Sequence, residues 1–275
     1  MALVVNTNVA SINAQRNLEQ NTNSLTGSVA RLSSGLRITR AADDAAGLGI
    51  SETLRAQIRS INQAARNAND GISLLQIADG GAANVGNLLG RLRELAEQSA
   101  SGILGATERS FLDQEFVALR SEIDRISSVT EFNNVKLLSG GDNDTLSIQI
   151  GFRSSANDTL SIALDDLNTG QLNLTTTNVS TSDSALSALS NIDSAISAVA
   201  SARATIGSLQ NRIDAAVQNL AVGNENLTAA ESRIRDADIA FETAQFVRNQ
   251  ILVQAGTSIL AQANTLPQQA LSLLN

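Results

Sequence analysis

Every seventh residue from Ile192 onward is apolar: Val199, Ile206, Ile213, Leu220, Leu227, Ile234 and Phe241 follow it, with no Pro and two Gly in between. A spacing of seven lies close enough to the helical period to hold these side chains in one stripe. Residues 189–241 are therefore predicted to form one helix with a continuous apolar seam. At 1.5 Å per residue the seam runs about 75 Å, longer than a compact domain made from 275 residues requires. Helices of that length belong to rods, bundles or fibres, and they need partners of similar length.

The chain supplies them. A second register of sevens runs Leu54, Ile61, Ala68, Leu75, Ala82, Leu89 and Ala96, with Ile58, Ala65, Ile72, Val85 and Leu92 beside it. Alternation of large and small residues suits close helix packing. Gly71, Gly80, Gly81, Gly86 and Gly90 each cost about 1 kcal/mol relative to Ala inside a helix, yet the register keeps phase across them. One helix is predicted, with a bend at Gly80-Gly81. A third helix carries Leu112, Phe116, Leu119, Ile123 and Ile126, with Thr107 as its expected N-cap. The period then changes to two: Leu146, Ile148 and Ile150, then Leu160, Ile162 and Leu164, predict a β-hairpin over residues 145–165.

Both ends of the chain carry thinner amphipathic patterns. Val5, Val9, Ile12, Leu25, Val29 and Leu32 fall at helical spacing near the start, and Leu252, Ile259, Leu266 and Leu273 repeat by seven near the end. The step from Phe241 to Leu252 is eleven, which rotates the seam and marks a boundary near residues 232–237. No charged side chain occurs before Arg16 or after Arg248. A lone amphipathic helix is marginal in water, and an unpaired buried charge is expensive. Two uncharged terminal helices are thus expected to pair with each other and with neighbouring copies, disordered in the monomer and ordered in a polymer.

Composition narrows the function. The formal charge of −8 argues against nucleic acid, whose phosphates need a basic face. His and Cys are both absent, which removes the commonest general base, the commonest metal ligands and any disulfide. No enzyme and no cofactor are expected. No stretch approaches the roughly 18 apolar residues that span a bilayer, and the first residues lack the features of a cleaved secretory leader.

Several motifs resemble one family. Asn6-Thr7-Asn8 with Ala10-Ser11, the run Leu32 to Ile38, and the run Ala41 to Ser51 look like the N-terminal signature of bacterial flagellin. The runs Ser232 to Ala240 and Gln254 to Asn264 look like its C-terminal signature. The resemblance implies a mainly α fold of long antiparallel helices in a coiled-coil rod with a small β-hairpin. The N- and C-termini would pair into an inner helical domain, residues 1–42 with 235–275. The rod would comprise residues 43–172 and 185–234, with the seam Leu54, Ile61, Leu75, Leu89, Ile192, Val199, Ile206, Ile213, Leu220 and Leu227. Residues 173–184 would be a short exposed linker standing where relatives insert outer variable domains, and its Ser and Thr residues would be open to O-linked glycans.

The same resemblance implies a structural subunit of the flagellar filament, exported unfolded and self-assembling into a hollow helical tube for swimming. Its partners would be many copies of itself, an export chaperone, and the filament cap and junction proteins. Arg91, Leu95 and Glu115 fall where a vertebrate Toll-like receptor recognises flagellin; as plain surface charges, Arg91 and Glu115 would instead pair between subunits. Asp43 and Asp44, beside Arg37 and Arg40, are expected to pair charges at the hinge between domains. Asp142, Asp144, Asp158, Asp165 and Asp166 are expected to be exposed turn acids, since the fixed spacing of a calcium loop is absent. Two rivals remain: a hook–filament junction protein, which shares the terminal helices, and a helical pore-forming toxin, whose tongue would need a longer apolar face than this hairpin has.

Overall fold

The computed structural model describes residues 7–139, 145–153 and 155–272, the side chains of 266–272 excepted. Five helices account for most of it: α1 (Val9–Ser34), α2 (Ala45–Ala100), α3 (Ala106–Val129), α4 (Ser182–Arg235) and α5 (Ile239–Ser272). Between α3 and α4 lie two small antiparallel hairpins. One joins β1 (Glu131–Phe132) to β2 (Val135–Lys136), and the other joins β3 (Thr145–Gln149) to β4 (Thr159–Ala163). The chain divides into two compact units, Met1–Ile58 with Asn226–Asn275, and Arg59–Glu225. Both boundaries fall inside the long helices α2 and α4, deeper than the positions 42/43 and 234/235 that the motifs point to.

The larger unit is a heptad bundle. On α2 the buried positions include Ile61, Ala64, Ala68, Leu75, Ala78, Ala82, Val85, Leu89, Leu92 and Ala96; on α4 they include Ala188, Ile192, Ala195, Val199, Ala202, Ile206, Leu209, Ile213 and Leu220. Steps of three and four alternate throughout, so one line of α4 is large and the line beside it is Ala at 188, 195 and 202. Large residues opposite small ones let two helices approach closely. The ion pairs Arg93–Asp193 and Arg203–Asp79, both 2.8 Å, fix α2 and α4 as antiparallel. Phe116 and Ile123 of α3 are buried in the same core. Of the expected rod seam, Leu54 and Leu227 belong instead to the smaller unit and are half-buried.

Several local expectations are corrected. The predicted helix 189–241 is interrupted at Asp236–Asp238, so Phe241 lies on α5. The C=O of Arg235 accepts from Arg37 N and the N–H of Ala237 donates to Gly35 O, which takes the backbone out of helical pairing there. Helix α2 runs through Gly80-Gly81 as the single helix predicted. The reason for Gly81 is a close approach: a Cβ there would lie 2.7 Å from Leu138 Cδ1 and 2.8 Å from Thr130 Oγ1. Gly71 plays the same part under the larger hairpin, where a Cβ would come 2.5 Å from Ile148 Cδ1. Helix α3 starts at Ala106, after Gly105, without a side-chain cap, so Thr107 is inside the helix.

The stretch 173–184 is no loose linker. Leu174, Thr177 and Val179 are buried. Arg120 Nη1 donates to Leu174 O and Thr177 O, Ser99 Oγ donates to Val179 O, and Val179 N donates to Asp113 Oδ1. Thr175, Thr176, Ser180 and Thr181 remain exposed.

Replacing Gly71 with Val should force Ile148 off α2. Amide hydrogen exchange in β3 and β4 is expected to accelerate while α4 stays protected. Leu89→Ala, which empties a fully buried site, should cost about 2–5 kcal/mol, measured by thermal unfolding followed by circular dichroism.

Candidate assembly interface

Helices α1 and α5 form an antiparallel pair, and its seam is unlike that of the bundle. Ser11, Ala14 and Ser28 of α1 are buried, with Leu18, Leu25 and Leu32 half-buried on the same heptad lines. Facing them on α5 are Glu242, Asn249, Gly256 and Ala263 on one line of sevens and Phe246, Val253 and Leu260 on the other. The small residues bring the backbones together: a Cβ on Gly256 would stand 3.2 Å from Leu18 Cδ1. Polar groups inside the seam find one another. Ser11 Oγ donates to Asn264 Oδ1 at 2.8 Å, and Arg31 Nη2 donates to Glu242 Oε1 at 2.8 Å.

The far end of the pair is closed by Asn8. Its Oδ1 accepts from Ser11 N and so caps α1. Its Nδ2 donates to Ala263 O at 2.8 Å. That carbonyl is the one whose helical partner would be the N–H of residue 267, and residue 267 is the protein's single Pro. Asn8 thus supplies the donor that the Pro cannot, one amide serving the start of α1 and a carbonyl within α5.

At the other end Gly35 terminates α1 with φ +70°, a left-handed conformation that favours Gly. Leu36 forms an isolated bridge with Asp236, and Arg37 Nη2 donates to Ile234 O. Arg235 Nη1 pairs with Glu52 at 2.6 Å. Asp43 and Asp44 do not form ion pairs with Arg37 or Arg40. Asp43 accepts from Thr39 N, Thr39 Oγ1 and Arg40 N, and the Thr39 hydroxyl bond leads in holding its carboxyl below the usual range. Asp44 accepts from Gly47 N at the start of α2. Both acids are consumed in shaping the backbone turn.

Other large apolar residues point away from the seam. Val9, Ile12 and Val29 of α1, and Ile239, Phe241, Val247, Ile251, Leu252 and Ile259 of α5, are exposed; Val9, Phe241 and Ile259 keep about three-fifths of their surface. The sevens Leu252 and Ile259 sit one residue before the true seam line Val253 and Leu260. They form a stripe on α5, as expected, but turned away from α1. Val5 and Leu273, the side chain of Leu266, and Asp142 and Asp144 lie outside the described residues. Of the other hairpin acids, Asp165 is exposed and Asp158 and Asp166 are half-buried.

Arg91 and Glu115 do come together, within one chain. Arg91 Nε and Nη2 both reach Glu115 Oε1, at 3.0 and 2.8 Å, and Nη1 reaches Glu94. Leu95 is 1% exposed and belongs to the core, so it offers no surface to a receptor. The heptad that buries Leu92 and Ala96 carries Leu95 inward with them.

Residues 5–143 match the family described as the bacterial flagellin N-terminal helical region, and residues 189–274 match the bacterial flagellin C-terminal helical region. The chain belongs to the bacterial flagellin family. It is 44% identical over 272 residues to the flagellin of Halalkalibacterium halodurans, covering 99% of this chain and 100% of that one. It is 41% identical to the flagellin of Bacillus subtilis, with 98% and 99% covered. The crystal structure of Bacillus cereus flagellin superposes with a TM-score of 0.51 at 33% identity, covering 56% of this chain and 88% of that one. Within this flagellin, the terminal motifs quoted above meet pairwise: Asn8 and Ser11 with Ala263 and Asn264, and Gly35 to Arg37 with Ile234 to Ala237.

The Arg31 guanidinium holds the Glu242 carboxyl below its ordinary range; burial opposes this, and Ser28 assists. A depressed folded-state value means that the pair stabilises fully above the unfolded carboxyl's pKa, about 4.3, and the contribution fades as pH falls through the folded value. Glu242→Gln should remove this acid-dependent component from unfolding midpoints measured across pH. In a double-mutant cycle, Asn8→Ala should destabilise α1–α5 by about 1 kcal/mol. The loss should shrink in a Pro267→Ala background, where the backbone can satisfy Ala263 itself.

Proposed function

We propose that this flagellin is the structural subunit of a flagellar filament and polymerises through the outward faces of its terminal helix pair. The observation that carries the reading is the apolar surface that α1 and α5 leave uncovered. Six large apolar residues share the seam with small and polar ones and are only half-buried, while nine more face outward. Burying one such side chain is worth about 1.5–3 kcal/mol, so copies packed side by side gain far more than one pair gains alone. The absence of charge before Arg16 and after Arg248 lets the outermost turns of those faces meet without stranding an ion.

In this reading the chain leaves the cell unfolded, escorted by an export chaperone, and adds to the filament beneath a cap and beyond junction proteins. Among the described residues no helix is long and apolar enough to cross a membrane. Family membership places the chain among structural proteins, and on this reading it has no catalytic task. A Toll-like receptor engaging the larger unit would meet the Arg91–Glu115 pair with Leu95 beneath it. The hook–filament junction alternative shares the terminal pair but finds no support in the full-length similarity to flagellins.

Purified protein seeded with filament fragments should elongate into long tubes under electron microscopy. A chain lacking residues 236–275 should stay soluble and monomeric, and elongation of that truncated chain would defeat the proposal. Limited proteolysis should cleave the termini of the free subunit before the bundle and spare them in the polymer.

A further inference from the structure

A polar cleft of about 520 Å³ opens on the terminal pair, between the C-terminal half of α1 and the start of α5. Arg31 and Arg40 line it together with Asn23, Gln245, Asn249 and the exposed ring of Phe241. The charges around it are unevenly matched. Arg31 is engaged by Glu242. Asp43 feels the Arg40 charge, but its hydrogen bonds go to Thr39 and to the Arg40 backbone rather than to the guanidinium. The Arg40 side chain is exposed and, among the described residues, makes no hydrogen bond or ion pair.

One acid lacks a partner in the complementary way. Glu19 is the only acidic residue in the first 42, it is exposed on α1, and its side chain makes no hydrogen bond or ion pair among the described residues. It follows Ile12 by seven and precedes Asn23 by four, so it sits on an outward stripe of α1. If these faces are covered by other copies, as proposed above, a carboxylate left there alone would be desolvated without compensation.

We propose that the cleft is a docking site for a second copy of this chain, and that Glu19 of one subunit enters it to pair with Arg40 of the next. This rests on the polymerisation reading and adds a register to it. Apolar faces can slide by a turn with little loss, whereas one carboxylate matched to one guanidinium fixes the offset between neighbours. An Arg presents a planar fork suited to a carboxylate, and the Asn and Gln side chains around it supply further donors.

The test is charge reversal in the full-length chain, with assembly from seeds as the readout. Glu19→Arg alone and Arg40→Glu alone should each raise the critical concentration about tenfold or more, because each sets like charges face to face. An equimolar mixture of the two variants should recover assembly, since alternating copies restore the pair, and the double variant should recover it unaided. Circular dichroism of the monomers controls for folding, and the milder Glu19→Gln and Arg40→Gln serve should a reversal fail to fold. Assembly of Glu19→Arg at the unmodified protein's concentration, or a mixture no better than either variant alone, overturns the pairing while leaving polymerisation intact. Failure of the unmodified protein to grow from seeds overturns polymerisation itself.

Discussion

The structure depends on how closely α1 and α5 can approach. Ser11, Ala14 and Ser28 facing Gly256 and Ala263 bring the backbones close, and the larger seam residues Leu18, Leu25, Leu32, Phe246, Val253 and Leu260 are only half-buried. What fills the seam is specific: Ser11 with Asn264, Arg31 with Glu242, Asn8 with Ala263 O. Hydrogen bonds of this kind contribute only about 0.5–1.5 kcal/mol each, but they are costly to leave unmade. The pair is therefore well specified and weakly driven. Much of its apolar surface stays on the outside, where it acts only when something else covers it.

The bundle of the larger unit follows the opposite rule. Ile192, Val199, Ile206 and Ile213 oppose a matching ladder on α2, and ion pairs such as Arg93–Asp193 decorate the rim. Exposed pairs of this sort contribute little each; burial of the heptad lines does most of the stabilising. One unit is self-sufficient and the other is not, and the difference follows from which residue types occupy the seam.

This contrast explains what could be read from the sequence. The α4 ladder was plain because its large residues are the buried ones, and the hairpin was plain because Leu146, Ile148, Leu160 and Ile162 alternate. On α5 the same rule misleads. Leu252 and Ile259 are one set of apolar sevens, yet the seam runs through the neighbouring set Phe246, Val253 and Leu260 and through Gly256 and Ala263, which periodicity of apolar residues does not flag. Likewise sequence shows the missing side chain at Gly81 but not the Leu138 and Thr130 that need its space. Leu95 is placed on a surface by the resemblance, although the register of Leu92 and Ala96 already carries it inward. Asn8 was visible as part of a motif; that it compensates for the N–H that Pro267 lacks is a fact of three dimensions.

The bond from Asn8 to the carbonyl of Ala263 joins positions 255 apart in the chain. Contacts of such separation form late, since nearly the whole polypeptide must be gathered before they reward the entropy lost. A molecule threaded end first through a narrow passage would hold its first helix without a mate until its last residues emerged. Delay of that kind is a built-in guard against jamming: the element most eager to aggregate stays unfinished until both tails have arrived at one place.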